Sequence, residues 1–139
     1  MKPINLTMTL TRTNGQHIMT FTTATRKVYT LAIYVGNESS APMRLRVDRV
    51  ALVGRQDAQA ECYPDLDLGP FGARDAGVSR RHAQFVITQG RLYLSDLGSV
   101  NGTRVNGVKL AANDPQLVRD GDQVECGKLR MIVYIVEGA

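Results

Sequence analysis

Residues 77–107 read GVSRRHAQFVITQGRLYLSDLGSVNGTRVNG. Two polar loops, Ser79-Arg80-Arg81-His82 and Ser99-Val100-Asn101-Gly102-Thr103, are set around short apolar runs. Ala83–Ile87 and Arg91–Asp96, separated by a Gln89-Gly90 turn, read as neighbouring strands. Asn101-Gly102 and Asn106-Gly107 mark two more tight turns, because Asn and Gly tolerate positive φ. Hydroxyls, an amide and guanidinium groups therefore sit in turns, where side chains face a ligand rather than a core.

Working outward, the same alternation recurs. Leu6, Met8 and Leu10 fall on one face, and Thr7, Thr9 and Thr11 on the other. Asn14-Gly15 then supplies a strong hairpin signal. Pairing across it sets Leu10 opposite Met19 and Met8 opposite Phe21, so Leu6–Thr13 and Gln16–Thr23 share an apolar face. Val28 to Val35 is a further strand, with Tyr29, Leu31, Ile33 and Val35 on one side. Gly36–Pro42 is a loop by composition. Met43, Leu45 and Val47 alternate with Arg44, Arg46 and Asp48, and Val50–Val53 is a short apolar strand aimed at Gly54-Arg55.

Gln56 to Gly77 is long and loop-like, with a brief strand suggested only by Leu66 and Leu68. Loops of this length tend to be functional or mobile. Beyond the central stretch, Leu117–Val118, Gln123–Cys126 and Leu129–Val136 are strands joined by turns at Asp120-Gly121-Asp122 and Gly127-Lys128. No segment keeps a helical period. Short strands with turn signals every ~8–12 residues predict an all-β sandwich.

The bulk numbers narrow the function classes. The chain of 139 residues is 43% hydrophobic and 22% charged, as expected of one globular domain. A net charge of +4 and a pI near 9.3 weakly favour an anionic partner. The basic residues form no block, which argues against nucleic acid. Cys62 and Cys126 lack metal-ligand spacing, so no metal is expected, and two reduced thiols suit a cytoplasmic protein. No apolar run approaches the ~18–20 residues of a membrane span, and the first residues lack a signal-peptide core. No membrane association is expected.

Ser79 and His82, three residues apart, invite comparison with a catalytic pair. Gly77-Val78-Ser79 is not a nucleophile elbow, and no P-loop, HExxH or GxGxxG is present. The reading is a non-enzyme without cofactors. As binders the same residues make chemical sense. A phosphate monoester carries about −1.5 to −2 charge and three acceptor oxygens. It suits a planar guanidinium joined by short hydroxyl and backbone donors, which Arg55, Ser79 and the Ser99–Asn101 loop offer.

Gly54-Arg55, Val78-Ser79-Arg80-Arg81-His82-Ala83 and Asp96–Gly107 together resemble the forkhead-associated (FHA) domain. Asp120–Gly127 resembles that family's Gly-Asp turn, and the likeness runs from roughly Val28 to Glu137. The resemblance implies an FHA-type β-sandwich of about eleven strands whose loops bind phosphothreonine in a partner protein. It implies Arg55 as main phosphate ligand, Ser79 as hydroxyl donor, Asn101 on the peptide main chain and Arg80 beside them. Ser99 and Val100 complete the phosphopeptide-binding set. Val100 stands where some members have a threonine that helps to bind phosphate. Gly54, His82, Gly102 and Asn106 are implied as structural.

The expected organisation is an amino-terminal β-hairpin extension over residues 1–27 followed by an FHA domain over 28–139. The expected function is phosphothreonine-dependent recognition in Ser/Thr kinase signalling, the partner being a kinase or its substrate. The hairpin offers a route to a homo-oligomer by strand addition. The alternative is a phosphate-independent scaffold or oligomerisation domain on the same fold.

Overall fold

The computed structural model describes residues 4–25, 27–36 and 41–137, so four residues of the expected Gly36–Pro42 loop lie outside the described residues. Its first unit is a hairpin of β1 (Ile4–Thr13) and β2 (Gln16–Thr25). Asn14 and Gly15 take φ of 51° and 77° at the turn, which fits two residues that both need the left-handed region. The register pairs Leu10 with Met19 and Met8 with Phe21, as the alternation requires. Among the described residues these strands pair only with each other, as a separate two-stranded sheet. Met8, Leu10 and Met19 remain 59%, 61% and 55% exposed.

The rest of the described residues form a sandwich of eleven strands in two sheets. One sheet holds β3 (Tyr29–Val35), β4 (Met43–Val47), β9 (Thr103–Val105), β10 (Val108–Lys109), β12 (Asp122–Cys126) and β13 (Leu129–Glu137), in the order β10-β9-β12-β13-β3-β4. The other holds β5 (Val50–Gly54), β6 (Leu66–Asp67), β7 (Arg81–Thr88), β8 (Arg91–Asp96) and β11 (Gln116–Leu117), in the order β11-β8-β7-β5-β6. Leu31, Ile33 and Met131 from the first sheet and Val53, Phe85 and Leu94 from the second are buried in one core between them. Alternation put these side chains inward, and their burial supplies the main driving force for the fold.

Two details depart from the sequence reading. The segment from Asn101 to Lys109 contains β9 and β10, which are three and two residues long and too short to show a period of two. The long Gln56–Gly77 segment is packed rather than loose. Leu66, Leu68 and Ala73 are almost fully buried, and a 3-10 turn spans Gly69–Phe71. The Asp67 carboxylate beside it accepts from the amides of Gln56 and Gly69 at 2.9 Å each. Among the described residues no helix is long and apolar enough to cross a membrane.

Register gathers the polar loops at one end of the sandwich. Gly54, the last residue of β5, pairs with Arg81 at the start of β7, and Ala83 pairs with Asp96 at the end of β8. In the facing sheet Thr103 opens β9 opposite Cys126. The connections β5–β6, β6–β7 and β8–β9 therefore emerge side by side.

Candidate functional site

The site is built on close backbone approaches. A Cβ on Gly54 would lie 1.8 Å from the Arg80 carbonyl oxygen, so only glycine fits where β5 meets the β7 loop. That contact lets the Arg55 amide donate to Arg80 O at 3.2 Å. The Arg55 side chain is then oriented by Nε, which donates to Val78 O at 2.9 Å. Among the described residues nothing engages its two η nitrogens. The carboxylates nearest in sequence have other work. Asp57 pairs with Arg80 at 3.4 Å, and Asp65 accepts from the Leu52 amide at 2.7 Å. A half-exposed guanidinium with a fixed plane and free η nitrogens is a receptor for an oxyanion.

Ser79 sits beside it. Its amide donates to His82 Nδ1 at 3.0 Å, and its Oγ accepts from the Val100 amide at 3.1 Å. The hydroxyl proton is left to donate outward. The Val100 N–H is thus spent within the protein, while its side chain is 87% exposed at the rim. Asn101 Nδ2 donates to Gly77 O at 2.9 Å, leaving Oδ1 to accept from a ligand. Gly77 has φ of 78°, and a Cβ there would come within 2.4 Å of Asn101 Nδ2. Arg80 and Arg81 are exposed.

His82 and Asp96 hold the loops from below. The His82 ring is fully buried and bridges Ser79 N to Gly102 O, the second contact being 2.9 Å. Since Nδ1 accepts, Nε2 carries the proton and donates, so the ring is neutral. Burial pushes its pKa below the ordinary 6.5, against the opposing pull of the Gly102 carbonyl and the Asp96 charge. Asp96 accepts from the amides of Gly98 and Ser99 at 2.9 and 3.1 Å, and from the hydroxyls of Ser99 and Thr103 at 2.5 and 2.7 Å. Burial raises its pKa, but these four donors outweigh it and the net shift is downward.

Ser99 is committed inward. Besides donating to Asp96, its Oγ accepts from the Gly102 amide at 2.9 Å. The hydroxyl thus donates and accepts within the protein, closing the loop. Asn106 ties its turn to β12, donating to Asp122 Oδ1 and accepting from Gln123 N, each at 3.0 Å. The sequence reading gave Asp96 no role, although Asp followed by Gly-Ser within three residues is an Asx-turn signal.

The model of the FHA domain matches residues 51–127, more than half of the chain. The chain belongs to the FHA domain family. The oxoglutarate dehydrogenase inhibitor of Corynebacterium efficiens is 41% identical to this FHA domain over 81 residues, covering 58% of this chain and 53% of the inhibitor. The glycogen accumulation regulator GarA of Mycolicibacterium smegmatis is 36% identical over 81 residues, covering 58% and 48%. The chain thus spans about half the length of the curated relatives it matches. A solved FHA domain studied for phosphothreonine-dependent interactions is 27% identical with a TM-score of 0.59, covering 78% of this chain and 98% of its own.

Proposed function

We propose that this FHA domain is a non-enzymatic module that binds phosphothreonine in partner proteins and so reads the output of a Ser/Thr kinase. The observation that carries the reading is Arg55, held by Nε with both η nitrogens free, beside the outward hydroxyl of Ser79. Arg55 takes the phosphate bidentately, Ser79 donates to it, and Arg80 adds positive charge on leaving Asp57. Asn101 Oδ1 accepts from the peptide main chain. Ser99 serves this site as a brace rather than a ligand, and Val100 lends apolar surface at the rim. Gly54, His82, Gly102 and Asn106 hold the loops. Each charge-assisted bond is worth about 1.5–3 kcal/mol, so two or three support a reversible interaction.

The experiment is a phosphothreonine peptide library read against its unphosphorylated counterpart, with wild type and Arg55→Ala. Phosphate-dependent capture that disappears in Arg55→Ala supports the reading. Equal capture of both libraries by wild type defeats it and favours the phosphate-independent scaffold. A domain that reads Ser/Thr kinase output works where those kinases act, and the cytoplasm is the compartment that fits this reading.

The amino-terminal hairpin, residues 1–27 beside a domain of 28–139, suits self-association with a second copy. An isolated two-stranded hairpin is marginal in water. Here neither edge is paired among the described residues, and Met8, Leu10 and Met19 form an exposed, self-complementary face. Sedimentation of wild type and the Leu10→Thr/Met19→Thr variant tests this: a dimer that becomes monomeric supports it, and a monomeric wild type sinks it.

A further inference from the structure

Arg55 borders an open cavity of about 520 Å³ whose lining includes neither Ser79 nor Asn101. Arg55, Arg74 and Arg80 line it, with Gln56, Gln59 and Asp57. Its volume falls in the ~300–1,000 Å³ range of sites that hold a drug-sized ligand, more room than one phosphoryl group needs. Three guanidiniums lining one cavity repel one another unless anions offset them. The single carboxylate among the lining residues, Asp57, is shared. Its Oδ2 meets Arg80 at 3.4 Å, while Oδ1 accepts from the amides of Gln59 and Ala60 at 3.1 and 3.4 Å.

The Arg74 guanidinium has no hydrogen bond or ion pair among the described residues, yet its backbone is firmly rooted. Ala73 before it is fully buried and accepts from the Val78 amide at 2.8 Å. Arg74 O accepts from the Gly77 amide at 3.2 Å. The segment that presents Arg74 is therefore continuous with the loop that presents Ser79. A guanidinium fixed at its root, without a partner, facing a cavity that already holds two others, is positioned for an anion the protein does not itself supply.

We propose that this cavity is a second anion subsite, which takes a carboxylate or a second phosphate carried on the same phosphothreonine peptide and reads it through Arg74. The inference rests on the phosphothreonine reading of Arg55. It makes the domain selective among phosphorylated partners for those with acidic or doubly phosphorylated sequences. Gln56 and Gln59 add neutral donors, and Asp57 repels an anion placed too deeply.

The test is calorimetric titration with a phosphothreonine peptide flanked by alanines. In companion peptides one flanking alanine at a time becomes glutamate or a second phosphothreonine. The wild type is expected to gain about tenfold or more in affinity at one or two positions, the size of a charge-assisted guanidinium contact. Arg74→Gln is expected to lose that gain while binding the alanine-flanked peptide as before and melting at the same temperature. The larger of the glutamate and phosphate gains identifies the source of the anion. A wild type indifferent to acidic flanks at every position, or an Arg74→Gln variant that keeps the gain, overturns the inference and leaves the phosphothreonine reading standing. A wild type that binds no phosphopeptide in the set overturns both.

Discussion

The Val100 amide donates to the hydroxyl oxygen of Ser79 over 3.1 Å, joining the β8–β9 loop to the loop before β7. One side chain thereby serves two functions. Its oxygen tethers the neighbouring loop, and its proton remains for a ligand.

Ser79→Ala removes both functions. The expected result is a loss of about tenfold in affinity for a phosphothreonine peptide, with a stability cost of about 1 kcal/mol, typical of one partly exposed hydrogen bond. Titration calorimetry and a urea melt measure the two separately. Unchanged affinity would remove Ser79 from the phosphate site.

Arg55→Lys keeps the charge and is nevertheless expected to lose most binding, by about tenfold or more, because lysine has neither the Nε that anchors to Val78 O nor the bidentate plane. Fold stability should fall by only about 1 kcal/mol, the worth of the lost Nε–Val78 bond, since the η nitrogens carry no internal contact. Full binding by this variant would show that charge alone suffices.

Gly54→Ala is expected to damage the fold itself. Its Cβ would meet a backbone carbonyl at 1.8 Å, and β5 and β7 must separate to admit it. A loss of roughly 2–3 kcal/mol follows from overpacking of this kind. Gly15→Ala, with nothing within 4 Å of its added Cβ, should cost about 1 kcal/mol through its positive φ alone. Chemical denaturation of the two variants checks the ordering.

Acid should weaken the fold through His82. Its folded pKa lies below the ordinary 6.5, so the unfolded chain takes up the proton first as pH falls. The stability contribution is complete above 6.5 and is lost as pH drops from there to the lower folded value. Thermal melts across that interval should show the decline, and His82→Gln, less stable throughout, should flatten it. An unaltered slope in the variant would assign the acid sensitivity to other groups.

Much of this was legible because it depends on local chemistry. Asn14-Gly15 specified its hairpin and register, and the alternation in Tyr29–Val35 gave the buried face. Arg55, Ser79 and Asn101 were recognisable from ordered motifs. What stayed hidden depends on proximity across the fold. Strands β9 and β10 are too short to carry a period. Ser99 looks like a free hydroxyl until the loop closes and Asp96 and Gly102 claim it. Arg74 lies well beyond Arg55 in sequence, inside a segment that reads as loop, and only folding puts both on one cavity.

The hydrogen bonds of Asp96 carry a kinetic meaning. Its four donors all belong to the chain itself and hold the β8–β9 loop closed from within. The entropy of ordering that loop was spent on folding, so a bound peptide gives up only its own freedom. Capture then requires no slow loop rearrangement, and its speed follows from diffusion and charge attraction. Release follows from the few bonds to the phosphate. Such a receptor can track a phosphorylation level that rises and falls, rather than record that it once rose.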